Sequence, residues 1–186
     1  LDIGIDARGD TLTVDATARV RTTVENSSGF TFAINPFYDI ESVTLNGQSA
    51  EWKLNGPFLA VSAPEPLALD SVHEVGVVAK GMPKSITNMV PPALLKAFRV
   101  YSRPVMSDDG LHLSLTSLFY PSPTGLREDH WTSRTRITVK KGWEAIANGN
   151  LMSRDEFEDG VTYTFLDDRP DMLLEIIAGE FEREGE

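Results

Sequence analysis

The sequence contains no cysteine, which removes disulfides, thiolate zinc sites, iron–sulfur clusters and cysteine nucleophiles from consideration. Long apolar runs are also missing: none approaches the roughly 20 residues of a membrane-spanning helix, and we recognise no signal peptide at the start. Positive charge is scarce: the sequence has 17 Lys and Arg against 28 Asp and Glu, which gives a formal net charge of −11. Nucleic-acid binding needs clustered Lys and Arg, so we expect this chain to contact neither nucleic acid nor a membrane.

What is present is ordinary for a folded domain. The chain has 186 residues, of which 41% are hydrophobic and 24% charged. This length suits one domain with a real core, so we expect residues 1–186 to form a single unit. The first residue is Leu1 rather than Met, from which we expect a piece cut from a longer protein.

Hydrophobic residues recur with a period of two. From Thr11 to Val24 apolar and polar side chains alternate, which predicts a long strand, and Asp2 to Asp6 predicts its hairpin partner. Asn46-Gly47 and Asn55-Gly56 are hairpin turn signals between further short alternating runs. Short strands separated by turns at roughly 8–12 residues predict an all-β, antiparallel, saddle-like sandwich.

Two stretches depart from this pattern. Residues 82–98 carry Pro83 and the pair Pro91-Pro92, and we expect an insertion there with a short helix around 90–98. Met172 to Ala178 is nearly all apolar, which predicts a strand buried on both faces.

The three histidines give no self-contained catalytic set. His73-Glu74 begins the His-Glu-x-x-His zinc motif, but Val77 stands where the second His belongs, so we expect no metal ligands. Asp129-His130 raises the hypothesis of a small hydrolase, yet no Gly-x-Ser-x-Gly elbow accompanies it.

The carboxylates Asp167, Asp168 and Asp171 cluster around Pro170. A Ca²⁺ ion prefers several carboxylate oxygens, so a cation site is conceivable here. The spacing matches no EF-hand loop, and a solvated turn is the favoured interpretation.

The aromatic residues divide into two groups. Trp52 and Trp143 lie within alternating strand patterns, which predicts packing in or beside the core. Phe119, Tyr120 and Trp131 flank a loop and remain candidates for ligand contact.

Several motifs in a fixed order resemble the amino-terminal β domain of the aminopeptidase N family of zinc peptidases (gluzincins). They are SVTLNGQSA (Ser42–Ala50), PLALDSVHEVGVVAKGMP (Pro66–Pro83), LFYPSP (Leu118–Pro123) followed by RTRITVKKGWEAIANGNL (Arg134–Leu151), and MLLEIIAGEF (Met172–Phe181). The Tyr-Pro pair is most similar to bacterial relatives of the family.

This resemblance implies a role without catalysis. The family's zinc helix lies in the next domain, so zinc is expected only downstream, and the expected partners are that domain and possibly a peptide substrate. His112 falls where the family has a Gln that binds the substrate's amine, and Ser117 where it has an Arg. His112, Phe119, Tyr120, His130 and Trp131 are therefore the candidate residues for one wall of a substrate cleft. The bacterial relatives also suggest tethering outside the cytoplasm, in the cell envelope.

A different class of function stays open. Immunoglobulin-like and fibronectin-like sandwiches serve as stand-alone binding or adhesion modules, and a sandwich fold alone does not separate them from a peptidase domain.

Overall fold

The computed structural model describes residues 1–85, 105–124, 130–171 and 173–181, and these form an all-β sandwich. The strands are β1 (Asp2–Asp6), β2 (Leu12–Arg21), β3 (Ser27–Ala33), β4 (Tyr38–Leu45), β5 (Gln48–Ser49), β6 (Trp52–Asn55), β7 (Phe58–Leu67), β8 (Val72–Gly81), β9 (Gly110–Leu113), β10 (Ser122–Pro123), β11 (Trp131–Lys140), β12 (Glu144–Ala147), β13 (Asn150–Phe157), β14 (Gly160–Asp171) and β15 (Ile176–Gly179). A 3₁₀ turn spans Leu115–Ser117.

The strands form three sheets. The large sheet has the order β13-β14-β11-β1-β2-β8-β4-β5, the middle sheet β10-β3-β7-β6 and the small sheet β12-β15-β9. Buried side chains from all three belong to one hydrophobic cluster, which includes Ile3 and Leu12 of the large sheet, Leu59 of the middle sheet and Ile176 of the small sheet. The antiparallel sandwich predicted from the sequence is confirmed.

The local hairpins follow the sequence signals. Strand β1 pairs antiparallel with β2, with Ile3 opposite Ala16. Asn46 and Gly47 have φ values of 54° and 77° at the turn between β4 and β5, a conformation that Asn and Gly tolerate at low cost. A side-chain period of two therefore predicts these strands, and Asn-Gly predicts the turn between β4 and β5.

One pairing is parallel and long-range. Strand β1 also lies against β11, with Ile5 opposite Ile137, so it joins the beginning of the chain to its second half. The small sheet is likewise assembled from distant segments, because Ile177 of β15 lies between Ile146 of β12 and His112 of β9.

Two burial predictions are wrong. The run Met172–Ala178 is not buried on both faces: Leu174 and Ile176 are buried, whereas Leu173 and Ile177 are 46% and 41% exposed. The small sheet has no layer of described residues over its outer side. Trp52 is 41% exposed because it lies on β6, the short edge strand of the middle sheet, while Trp143 is buried as predicted.

The acidic cluster is part of a strand rather than a turn. Asp167, Asp168 and Asp171 all lie in β14. The Asp167 side chain accepts a hydrogen bond from the Arg169 amide, and Asp171 accepts one from the Leu173 amide. These backbone bonds account for two of the three carboxylates.

Two further predictions fall largely outside the described residues. The short helix around 90–98 lies there entirely, and so does the insertion 82–98 apart from residues 82–85. Within the described ranges no helix is long and apolar enough to cross a membrane.

Candidate functional site

An exposed apolar face covers the outer side of the small sheet. We name it the small-sheet face, formed by His112, Ile146, Leu173, Glu175 and Ile177. The sheet register places Ile146, Ile177 and His112 in one row across the three strands. Ile146 is 59% exposed, so this row offers aliphatic surface to solvent on a strand pair whose opposite face is buried. A contiguous exposed apolar surface of this kind is typical of an interaction site.

A hydrogen-bonded histidine–glutamate pair lies at one side of this face. Nε2 of His112 is 2.5 Å from Oε1 of Glu175, and both side chains are partly exposed. His112 comes from β9, whereas Glu175 directly precedes β15. The imidazole and the carboxylate therefore lie beside aliphatic side chains. This arrangement suits contact with a partner that presents a polar group next to an apolar surface.

The chain turn next to the face is fixed by an asparagine. The Asn148 side chain accepts a hydrogen bond from the Glu175 amide at 2.7 Å and donates one to the Leu173 carbonyl at 3.2 Å. These two bonds hold the segment entering β15 against the end of β12. Sequence reasoning missed Glu175 and Asn148, since their partners lie far away in the chain.

Three of the five predicted site residues line a different region. Tyr120, His130 and Trp131 border an open groove of about 510 Å³ between the large and middle sheets, together with Phe30 and Phe32. The Tyr120 and Trp131 ring centroids are 6.3 Å apart, in an edge-on arrangement. His130 is exposed and makes no hydrogen bond to another described residue. Asp129, its suggested partner, lies outside the described residues.

The remaining aromatic candidate is internal. Phe119 is fully buried, with its ring centroid 4.8 Å from that of Tyr120. Tyr120 is itself buried, and its hydroxyl lies near the Leu174 amide. Burial raises the pKa of the Tyr120 hydroxyl to about 12. Phe119 and Tyr120 are thus part of the hydrophobic core. The structure does not bring all five candidates into one site.

A serine–histidine pair occurs elsewhere, but its hydrogen bonds run in the wrong direction for nucleophile activation. Oδ1 of Asn46 accepts from the Glu74 amide, so its Nδ2 donates to Nδ1 of His73, 3.2 Å away. Neutral His73 then carries its proton on Nε2 and donates to Oγ of Ser71 at 2.7 Å. Ser71 in turn donates to the Ala68 carbonyl. A general base must accept the serine proton, which this tautomer does not do.

Metal ligation has no support within residues 1–85, 105–124, 130–171 and 173–181. No group of three or more His, Asp or Glu side chains there is arranged to hold an ion.

Comparison with known proteins gives a fold relationship. No family model and no curated protein matches the sequence. An M1 zinc metallopeptidase mutant from Deinococcus radiodurans, solved with a Tyr-Ser-Ala substrate, matches at a TM-score of 0.77 and 20% identity over 96% of this chain. Legionella pneumophila aminopeptidase A in complex with aspartic acid matches at 0.67 and 14% over 97%. Native yeast LTA4 hydrolase matches at 0.59 and 12% over 97%.

These matches extend over only part of the other proteins. The chain spans 41% of the Deinococcus protein, 21% of the Legionella protein and 28% of the yeast protein. The shared fold is therefore that of one portion of each larger chain.

Proposed function

We propose that this chain is the non-catalytic amino-terminal β domain of a larger aminopeptidase N-like protein, most similar to bacterial relatives with the Tyr-Pro pair. The observation that carries the proposal is the extent of the fold match. It covers 96% of this chain at a TM-score of 0.77, yet 41% of a zinc metallopeptidase. At 20% identity this match shows a common fold. The activity of the larger protein is part of the proposal.

In this proposal the small-sheet face packs on a zinc peptidase domain. Ile146 and Ile177 are aliphatic, adjacent across two strands and exposed, so covering them removes apolar surface from water. Burial of an Ile side chain is favourable by about 1.5–3 kcal/mol. Burial of Ile146, Ile177 and Leu173 would therefore stabilise an interdomain contact. The resemblance of Met172–Phe181 to the family's last strand before the catalytic domain supports a connection to that domain beside this face.

We further propose that His112 and Glu175 belong to the wall of the substrate cleft. They lie at the side of the aliphatic row and present a ring nitrogen and a carboxylate that are partly exposed. The expected ligand is a peptide, whose backbone and amine offer complementary donors. Tyr120 and Phe119 act indirectly in this arrangement, as buried members of the hydrophobic core that also contains Leu174.

Zinc chemistry is assigned to the remainder of the larger protein. In this proposal the catalytic step belongs to the peptidase domain, and no group of three or more His, Asp or Glu among the described residues is arranged to hold an ion. In this proposal the chain packs on the peptidase domain and contacts the substrate.

The test compares the 186-residue chain with the natural protein that contains it. We expect stoichiometric zinc and aminopeptidase activity, followed with aminoacyl coumarin amides, only in the longer protein. Stoichiometric zinc or peptidase activity in the shorter chain would overturn the assignment of a non-catalytic domain. A natural protein that ends with this chain would also overturn it.

The groove supports a second candidate, a stand-alone binding module. Trp131 offers a partly exposed ring in the groove between the two larger sheets, edge-on to the buried Tyr120, and Trp rings of this kind are common at binding interfaces. Tight binding of a glycan or a protein to the isolated chain, lost in Trp131→Ala and kept in Trp52→Ala, would favour this candidate over the peptidase domain.

A further inference from the structure

Three tight turns of the chain contain the dipeptide Asn-Gly: Asn46-Gly47, Asn55-Gly56 and Asn148-Gly149. In each turn the glycine has a positive φ, of 77°, 57° and 87° respectively. Because glycine has no Cβ, its backbone nitrogen can approach and attack the side-chain amide carbon of the preceding asparagine. The three sites therefore share their local chemistry and differ in how the asparagine side chain is held.

Asn46 is restrained at both ends of its amide. Its Oδ1 accepts a hydrogen bond from the Glu74 amide at 3.0 Å, and its Nδ2 lies 3.2 Å from Nδ1 of His73. Rotation of this side chain toward Gly47 breaks both bonds. The restraint comes from β8, the strand beside the turn.

Asn148 is restrained in a similar way by the segment that leads into β15. Its Oδ1 accepts from the Glu175 amide at 2.7 Å. Its Nδ2 donates to the Leu173 carbonyl at 3.2 Å and approaches Oδ2 of Asp171 at 3.4 Å. The amide carbon is thereby kept away from Gly149.

Asn55 has no such restraint. It is exposed at the end of β6, and its side chain makes no hydrogen bond with any other described residue. The following residues, Gly56 and Pro57, form the turn into β7. The side-chain amide is free to rotate toward the Gly56 nitrogen.

We propose that Asn55-Gly56 is a site of spontaneous deamidation and backbone isomerisation. The Gly56 nitrogen gives up its proton and bonds to Cγ of Asn55, the Cγ–Nδ2 bond breaks, and the amide leaves as ammonia. The resulting five-membered succinimide then adds water at either ring carbonyl. One ring C–N bond opens, which yields aspartate or isoaspartate at position 55. Water is the only co-reactant, and no group is oxidised or reduced.

The modification changes the hairpin at which it occurs. Either product adds a carboxylate, and isoaspartate also lengthens the main chain by one methylene between positions 55 and 56. Asn55 is paired with Phe58 and Leu54 with Leu59, and Leu59 is fully buried. Since turn geometry sets the register of a hairpin, the isoaspartyl form should loosen the β6–β7 pair and the edge of the middle sheet.

The experiment ages the intact protein in mildly alkaline buffer and follows the three sites together by peptide mapping with mass spectrometry. We expect Asn55 to convert roughly tenfold faster than Asn46 and Asn148. At those two sites the reaction must first break two hydrogen bonds, each of which adds a small net amount to the free-energy barrier. In concentrated urea the three sites should convert at similar rates, because each asparagine is then followed by glycine in an unrestrained chain. Equal rates in the folded protein, or faster conversion at Asn46 or Asn148, would overturn the proposal.

A variant tests the cause of the difference. His73→Phe removes the acceptor of the Asn46 amide while leaving Asn55 untouched. We expect faster conversion of Asn46 and an unchanged rate at Asn55. An unchanged rate at Asn46 in the folded variant would contradict restraint by hydrogen bonding as the cause.

Discussion

Nε2 of His112 and Oε1 of Glu175 are 2.5 Å apart, although 63 positions separate the two residues in the chain. Their side chains are 43% and 55% exposed. A pair this open to water contributes little to folding, because solvent screens it and both side chains lose conformational freedom. Its position beside the exposed Ile177 makes a role at an interface the better explanation.

The first prediction separates stability from function at this pair. Glu175→Gln and His112→Ala should each change the free energy of unfolding of the isolated chain by less than about 1 kcal/mol, as measured by urea denaturation. In the larger proposed protein, His112→Ala should raise the KM for peptide substrates. A loss of several kcal/mol in the isolated chain would show that the pair is structural.

The second prediction concerns Asn35, a fully buried side chain. Its Nδ2 donates to the Ser117 and Lys84 carbonyls at 2.6 and 2.7 Å, and its Oδ1 accepts from the Phe37 amide. Asn35→Ala leaves these three backbone groups without that partner and should cost about 2–4 kcal/mol of unfolding free energy.

Asn150→Ala is the matched control for Asn35. Asn150 is exposed, and its side chain has no hydrogen bond with another described residue. We expect a change within about 0.5 kcal/mol. Equal effects of the two substitutions in urea denaturation would refute the structural role of Asn35.

The third prediction contrasts two tyrosines. The Tyr38 hydroxyl is buried without a hydrogen-bond partner among the described residues, whereas that of Tyr163 donates to Glu144 at 2.9 Å and accepts from Arg154 at 3.1 Å. Tyr38→Phe should leave the unfolding free energy unchanged or raise it, because an unpaired buried hydroxyl is removed.

Tyr163→Phe should instead lower the unfolding free energy by about 0.5–1.5 kcal/mol, since two bonds are lost. Thermal and urea unfolding of the two variants measures the contrast. A larger loss in Tyr38→Phe than in Tyr163→Phe would contradict it.

The fourth prediction follows from the ionisation of Tyr120. Its pKa is raised by burial to about 12, whereas the unfolded chain has the ordinary value of 10.0. Between these values the folded state holds the proton more tightly, so stability is intact below about pH 10 and is lost as the pH rises toward 12. The pKa difference corresponds to roughly 2–3 kcal/mol.

Tyr120→Phe removes this contribution. Its unfolding free energy should therefore fall less steeply than that of the parent chain over the same pH interval. Burial also raises the pKa of Tyr38, so some decline should remain in the variant. Parallel declines in the two proteins would rule out the assignment to Tyr120.

Much of the sheet structure was accessible from the sequence because it is local. The alternation in β2, the partner strand β1 and the turn at Asn46-Gly47 each depend on residues that are close in the chain. A period of two fixes the face of each side chain, and Asn-Gly fixes the register of the hairpin.

The parallel pairing of Ile5 with Ile137 has no comparable local signal. It depends on which distant strands complete the large sheet. The small sheet also lacks a local signal, because Ile177 pairs with residues of two distant segments. An apolar run alone does not indicate that one face of its strand is left without a covering layer.

The candidate site was only partly predictable for the same reason. His112 was found through a motif resemblance, and the structure places it on the small-sheet face. Glu175 carries no signal of its own in the sequence, since its partner is in a distant strand. Phe119 belongs to the core, which the loop-like sequence around it did not indicate.

The most direct test of the proposed docking face uses the absence of cysteine. Ile177→Cys places a single thiol on the small-sheet face, and Val24→Cys places one at a position 64% exposed and outside that face. Maleimide labelling of each site is followed by mass spectrometry of its peptide. In the isolated chain both thiols should react readily. In the natural protein the thiol of I177C should be protected by the peptidase domain, while that of V24C stays reactive; equal reactivity of the two thiols there would contradict the proposed docking face.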